Sequence, residues 1–320
     1  MSRWSQGVDH LLELSVVGSF SVVGYDVRSR LDHWGPLPLS TDTSVLVTGA
    51  TSGIGRAGAL ELARRGAFVI GVGRSPERAR QLEMDLRSHH PRGEGRVLVS
   101  DMGDLEDVAA LSDLLLRDHV PTVLLHNAGA ITPNLTRTLQ GIEGTLATQV
   151  VGPHLLTTRI SSTWSTSNPG RVIAMTSGGL YTQPFNLSSL LEPPLPYSGV
   201  KTYARVKRAQ VVWIEALSTL KGLTSAAVHP GWTATAGLRD ALPRFSTLMT
   251  PLLRSASQGA ADLVWLSSCP DMVTHPGALW LDRRRREPHR LARTRTDGPR
   301  DCSTLLSYLN ETIAPYVTTN

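Results

Sequence analysis

Between Thr48 and Gly55 the chain reads Thr-Gly-Ala-Thr-Ser-Gly-Ile-Gly, directly after the apolar run Val45-Leu46-Val47 and directly before the Ala/Leu-rich stretch Arg56 to Arg65. A buried strand that turns through three glycines into a helix is built to hold a phosphate, because backbone N–H groups and a helix N-terminus converge on one anion. Gly49 permits the tight turn, Gly53 admits a pyrophosphate, and Gly55 brings helix against strand. Thr48, Thr51, Ser52 and Ile54 complete the candidate cradle.

The pattern then repeats. Phe68 to Val72 is followed by the helical stretch Pro76 to Leu86, and Arg96 to Val99 by Leu105 to Leu116. Val123 to Leu125 precedes Asn127-Ala128-Gly129, Val172 to Met175 precedes Thr176-Ser177-Gly178-Gly179, and Ser225 to Val228 precedes His229-Pro230-Gly231. Strands alternating with helices predict an α/β fold, a Rossmann-like doubly wound parallel sheet with helices on both faces. Ligands bind such sheets at the carboxyl ends of the strands, where each of these Gly-rich or polar motifs falls. One domain over 42–285 is expected, with an N-terminal extension over 1–41 and a basic segment with a C-terminal helix over 286–320. Leu187 to Pro196, rich in serine and proline, reads as a loop over or beside the site.

The 320 residues carry a formal charge of +5, much of it in Asp282 to Arg295, which holds seven arginines. With no aromatic residues interleaved for base stacking, the segment reads as a solvated surface rather than a nucleic-acid site. Two cysteines, Cys269 and Cys302, form no disulfide framework and suit the cytoplasm. Leu11 to Val23 is too short and too polar to span a bilayer, and no cleaved signal is evident. It reads as an amphipathic segment on the body of the protein, with peripheral membrane contact the second reading. No histidine has metal-ligand spacing.

The second strand ends at Gly73-Arg74-Ser75, where sites selecting NAD commonly place a carboxylate. Gly73 leaves room, Arg74 offers a guanidinium and Ser75 a hydroxyl, so NADP(H) is expected over NAD(H). Asp101, ending the third strand, can accept from an adenine amine or cap the next helix. Further on, Tyr203 and Lys207 lie four apart on a long helix, so the ammonium can sit beside the phenol and favour phenolate. A phenol so placed can exchange a proton with a carbonyl or alcohol oxygen. Tyr197 and Lys201 form a second such pair. The two tyrosines point about 120° apart at about 100° of rotation per residue. Tyr197 follows Pro196 at the helix start, which favours Tyr203.

Thr48-Gly-x-x-x-Gly53-x-Gly55, Asn127-Ala-Gly129, Ser177, Tyr203-x-x-x-Lys207 and Pro230-Gly231, in that order, resemble the short-chain dehydrogenase/reductase superfamily over residues 42–285. The long interval from Ser177 to Tyr203 and the run His229-Pro-Gly-Trp232 are similar to its branch around dehydrogenase/reductase member twelve. The resemblance implies that Ser177 bonds the substrate oxygen, Tyr203 is the general acid/base, and Lys207 holds the nicotinamide ribose. It implies that Thr235 bonds the carboxamide, that Asn127, Ala128 and Gly129 line the adenosine ribose, and that Pro230 and Gly231 border the cofactor. It also leaves open a homodimer through the helices of Gln149 and Tyr203, faces the N-terminal extension could cover.

Two departures stand out. His126 replaces an asparagine that steadies the central strand, and Gln149 stands where the superfamily has the asparagine supporting a proton-relay water. The expected activity is NADP(H)-dependent hydride transfer to or from a hydrophobic carbonyl or alcohol framed by Leu180, Trp232, Leu238, Leu242 and Phe245. The alternative is an NADP(H)-binding interaction protein with weak or lost catalysis.

Overall fold

The computed structural model describes residues 3–35, 39, 43–241, 243–295 and 298–317. Eight strands form one sheet: β1 (Ser44–Thr48), β2 (Phe68–Gly73), β3 (Arg96–Val99), β4 (Val123–His126), β5 (Gly170–Met175), β6 (Leu223–Val228), β7 (Leu279–Leu281) and β8 (Arg284–Arg286). Their order is β3-β2-β1-β4-β5-β6-β7-β8, parallel through β7, with β8 antiparallel on the edge. The order reverses between β1 and β4, whose pairing sets Val45 opposite Val123. A crevice therefore opens where the Gly turn and Asn127 leave the sheet.

Both sheet faces are buried because the strands are apolar on both sides. Leu46, Ile70 and Val172 belong to one core with α6 (Leu105–Asp118), α7 (Gly152–Ser161) and α8 (Gly199–Leu217). Val45, Val69 and Ile173 belong to the other with α4 (Gly53–Arg64), α5 (Pro76–His89) and α9 (Ala256–Leu266). The C-terminal helix α10 (Pro299–Val317) lies across α8, α7 and α6 and buries Leu305, Leu309 and Ile313. Asn310 Oδ1 meets His154 Nε2 at 2.9 Å, and Arg159 Nη1 donates to the Tyr316 carbonyl at 3.0 Å. So α10 packs on the helices through which two copies were expected to pair.

The extension folds as α1 (Arg3–Glu13), α2 (Val16–Phe20) and α3 (Val22–Leu31). Helix α1 turns Ser5, Asp9 and Glu13, spaced four apart, toward the body, and leaves Trp4 and Leu11 exposed. The arginine-rich segment is the partner of those acids, which corrects its reading as a solvated surface. Arg286 meets Asp9 at 2.9 Å, Arg284 meets Asp32 at 2.8 Å, and Arg290 pairs with Glu13. Arg28 and Arg254, both fully buried, share Asp282 at 2.6 Å each. Strand β8 exists because Asp282 and Arg283, with φ of 57° and 54°, form the tight hairpin turn that reverses the chain after β7.

The expected boundary after residue 285 thus falls inside β8; the one between 41 and 42 lies outside the described residues. The Leu187 to Pro196 stretch is also not all loop. Asn186 Oδ1 accepts from Ser189 N at 2.8 Å and caps a helix over Leu187–Leu191, whose Leu190 is buried. Among the described residues no helix is long and apolar enough to cross a membrane, and no cluster of His, Cys, Asp or Glu could hold a metal.

Burial pushes the Asp9 carboxyl up, but the hydrogen bonds and charges of Arg286 and Arg28 outweigh it and hold it at about 2. A carboxyl depressed on folding adds stability above its unfolded value near 4, lost as pH falls toward 2. Acid titration between those values is therefore expected to loosen α1 first, read by hydrogen exchange. Asp282→Asn leaves two buried guanidiniums short of an anion and is expected to cost about 3–5 kcal/mol in urea unfolding.

Candidate active site

The Gly turn is stitched to the end of β4. Thr48 Oγ1 accepts from Asn127 N and Ala128 N, each at 3.0 Å, and Asn127 Nδ2 donates to the Thr48 carbonyl at 3.1 Å. A Cβ on Gly55 would lie 2.3 Å from the Gly49 carbonyl oxygen, so only glycine lets α4 start this close to the strand. Gly53 has φ +53°, and a Cβ there would meet only Thr235 Cγ2, at 3.7 Å. Ser52, the N-cap of α4, makes no side-chain capping bond, leaving the leading N–H groups of the helix to another acceptor. A cradle with an open roof and an uncapped helix N-terminus fits a pyrophosphate. Thr51 and Ser52 reach the surface, and Ile54 packs inward against the α4 core.

At the adenosine end a Cβ on Gly73 would lie 2.5 Å from Thr51 Cγ2, so Thr51 leans over this glycine. The Arg74 side chain is 73% exposed and its guanidinium stands 3.6 Å from Asp101. Ser75 is engaged locally: its hydroxyl accepts from Arg78 N at 3.3 Å as the α5 cap and donates to Glu77 at 2.9 Å. Asp101 accepts from Gly103 N at 2.9 Å, whereas the cap of α6 is Asp104, so of its two expected roles the helix cap falls to a neighbour.

The reacting centre forms where α8 passes the end of β5. Helix α8 begins at Gly199 behind the Ser198 cap, placing Tyr197 outside it, with its hydroxyl 3.3 Å from Glu143 and Thr132. Tyr203, one turn in, lies near enough to Ser177 for that side chain to bear on its proton affinity, and the Lys207 ammonium sits 5.2 Å from the centre of its ring. Ser177 stands at the head of a 3-10 turn over Gly178–Thr182. Desolvation pushes the Tyr203 phenol up to about 12, with Ser177 pulling the other way. Burial brings the Lys207 ammonium down to about 7. The expected lowering of the phenol by its lysine is therefore overridden by burial: at neutral pH Tyr203 holds its proton, poised to donate it.

Lys207 Nζ donates to the Met175 carbonyl at 2.7 Å and to Gln210 Oε1 at 2.9 Å. Gln210 is a site residue that the Tyr-Lys spacing did not flag, although its place three residues after Lys207 puts it on the same helix face. Gln149 lies in a π-helical turn, Ala147–Val151, just before α7. Its side-chain amide donates to the Ala130 carbonyl at 3.2 Å and fills the space a Cβ on Gly129 would need, its Cδ 2.7 Å from that position. It is the main-chain carbonyl of Gln149 that reaches the lysine arm, accepting from Gln210 Nε2 at 2.9 Å. His126, which burial brings down to about 3 and so keeps neutral, meets Thr157 of α7 at 2.8 Å; its steadying bond ties the central strand to a helix.

Beyond β6, Pro230 and Gly231 turn the chain toward the cradle, and Thr235 Oγ1 accepts from Leu238 N at 3.2 Å. His229 Nδ1 accepts from Gly231 N at 2.8 Å, shaping that turn. Burial and the charges of Arg254 and Arg290 hold this ring neutral. Of the apolar residues expected around a substrate, Leu180 is fully buried core, while Trp232 meets Phe245 edge-on with ring centres 5.2 Å apart. Leu238 is half-buried nearby, and Leu242 lies outside the described residues. Phe20 of the extension comes instead, 4.2 Å from the His229 ring and 6.1 Å from Trp232.

Comparison with known proteins agrees with this geometry. The short chain dehydrogenase family model matches residues 43–189. The chain is 30% identical over 268 residues to human dehydrogenase/reductase SDR family member 12, covering 83% of this chain and 84% of that protein. It is 35% identical over 246 residues to a Streptomyces protein provisionally named a daunorubicin C-13 ketoreductase, covering 75% and 83%. A Burkholderia cenocepacia short chain dehydrogenase solved with NADP shares the fold at TM-score 0.60 and 23% identity, over 76% of this chain and 96% of that one.

Proposed function

Since the chain belongs to the short-chain dehydrogenase/reductase family and is therefore an NAD(P)-dependent oxidoreductase, we propose that it interconverts a hydrophobic ketone or aldehyde with its alcohol, using NADP(H). The observation that carries the reading is the meeting of Tyr203, Ser177 and Lys207 at the strand ends beside an open phosphate cradle. A bound nicotinamide cofactor supplies or accepts the hydride. Ser177 holds a substrate oxygen by hydrogen bond, and the protonated Tyr203 gives that oxygen a proton as the carbonyl carbon is reduced. In the opposite direction the phenol has to lose its proton first, and a charge on Lys207 beside it opposes the cost of burial. Lys207 also has donor capacity for a ribose hydroxyl.

Preference for NADP(H) is supported by the absence of a carboxylate at the tip of β2 and by the reach of Arg74. Its contact with Asp101 is loose and solvent-exposed, so a 2′-phosphate can compete for the guanidinium. A hydrophobic substrate is supported by Trp232, Phe245 and Leu238, partly exposed after the Pro230-Gly231 turn. The Streptomyces relative is named for reduction of a ketone, which is the same class of chemistry. With α10 seated across α7 and α8, the protein is proposed to act without pairing through those helices.

NADPH consumption over a panel of aromatic, aliphatic and retinoid-like carbonyls tests the reading. Tyr203→Phe is expected to lower kcat by about a hundredfold or more while NADPH still binds. Saturable NADPH binding with no turnover by the wild type would favour the non-catalytic alternative. Arg74→Ala is expected to weaken NADPH about tenfold in fluorescence titration and to leave NADH within twofold.

A further inference from the structure

We propose that Gln210 is a positioning residue for proton transfer: its carboxamide bridges Lys207 to the main-chain carbonyl of Gln149. The inference rests on the proposed roles of Tyr203 and Lys207. Both ends of the bridge fix the amide's orientation. An ammonium can only donate, so it faces Gln210 Oε1 at 2.9 Å; a carbonyl can only accept, so it faces Gln210 Nε2, also at 2.9 Å. Gln210 is 1% exposed and Lys207 2%, so solvent does not compete for either bond.

The groups around the ammonium explain what the bridge does. From α8 come the Tyr203 ring and Gln210; from β5, the Met175 carbonyl; from the π-helical turn, Gln149 through Gln210. Among the described residues no acidic side chain offsets the burial of Lys207. Two neutral acceptors are therefore what favours its charged form, and one of them is a side chain that can be changed. When Tyr203 gives its phenolic proton to a carbonyl oxygen, the phenolate charge develops beside that ammonium, which the bridge holds in place. A carboxamide does not readily pass a proton along, so the bridge holds the ammonium in place and does not itself carry the proton.

The chain makes a direct test practicable. It has three lysines, Lys201, Lys207 and Lys221, and only Lys207 is buried. Proteins carrying 13C at lysine Cε report its titration by NMR without any turnover. Gln210→Met keeps the length of the side chain and removes the acceptor; Gln210→Glu keeps the shape and supplies an anion. The Lys207 midpoint is expected to fall by about one pH unit in the first and rise by about one in the second. In Gln210→Met, kcat is expected to drop about tenfold with KM within twofold. Opposite shifts from two side chains of similar size would not arise from a packing defect, and either variant alone tests the sign if the other does not fold. An unmoved midpoint, or a shifted midpoint with unchanged kcat in an active enzyme, overturns the proposal. Loss of turnover in the wild type counts against the proposed activity and leaves the NMR test of the bridge intact.

Discussion

Asp282 holds the N-terminal helices to the loops that follow β6. Its carboxylate accepts from Arg254 at 2.6 and 2.9 Å and from Arg28 at 2.6 Å, all within the protein interior. Arg28 brings in the N-terminal helices. Arg254 also donates to the carbonyls of Ser19, Phe20 and Ser21, while its own main-chain N–H bonds the Trp232 carbonyl at 2.7 Å. Phe20 thereby packs against Tyr181 and His229, behind the loops that carry Ser177 and Pro230. Such a buried network need not exceed an apolar core in stability, but it tolerates one geometry, and removing one partner strands the others. The extension and the basic segment are therefore structural neighbours of the substrate side.

Within the site, desolvation is the dominant force and hydrogen bonds act against it. Burial keeps Tyr203 protonated and weakens the charge on Lys207, so both groups depend on fixed dipoles around them. The Met175 carbonyl, the Gln210 amide and the Ser177 hydroxyl supply those dipoles from three separate elements. A rigid arrangement of this kind suits a reaction in which charge moves by one proton and one hydride, because little has to reorganise as the charge develops.

The parallel sheet and its switch point were legible because strand-end motifs recur at each crossover and local pattern decides them. Ser177, Tyr203, Lys207 and the Gly turn were legible for the same reason: each lies within a short motif of fixed spacing. The arginine run was not. Its partners Asp9, Glu13 and Asp32 lie more than 250 residues away, and no local pattern shows that a charge will be paired across such a distance. Leu180 failed for a related reason, since an apolar residue at a strand end can face either the cleft or the core. Gln210 was missed because its place in the site depends on a bond to the Gln149 carbonyl, a main-chain group that side-chain spacing does not reveal.

The most direct measurement is the fate of label from NADPH dideuterated at C4 of the nicotinamide, incubated with the wild-type protein and the carbonyl panel. One deuterium on the new carbinol carbon is the expected result, because it requires both the cofactor cradle and the Tyr203 centre to work on one substrate. Alcohol formed without deuterium, or no alcohol across the panel despite bound NADPH, would contradict hydride transfer at this site.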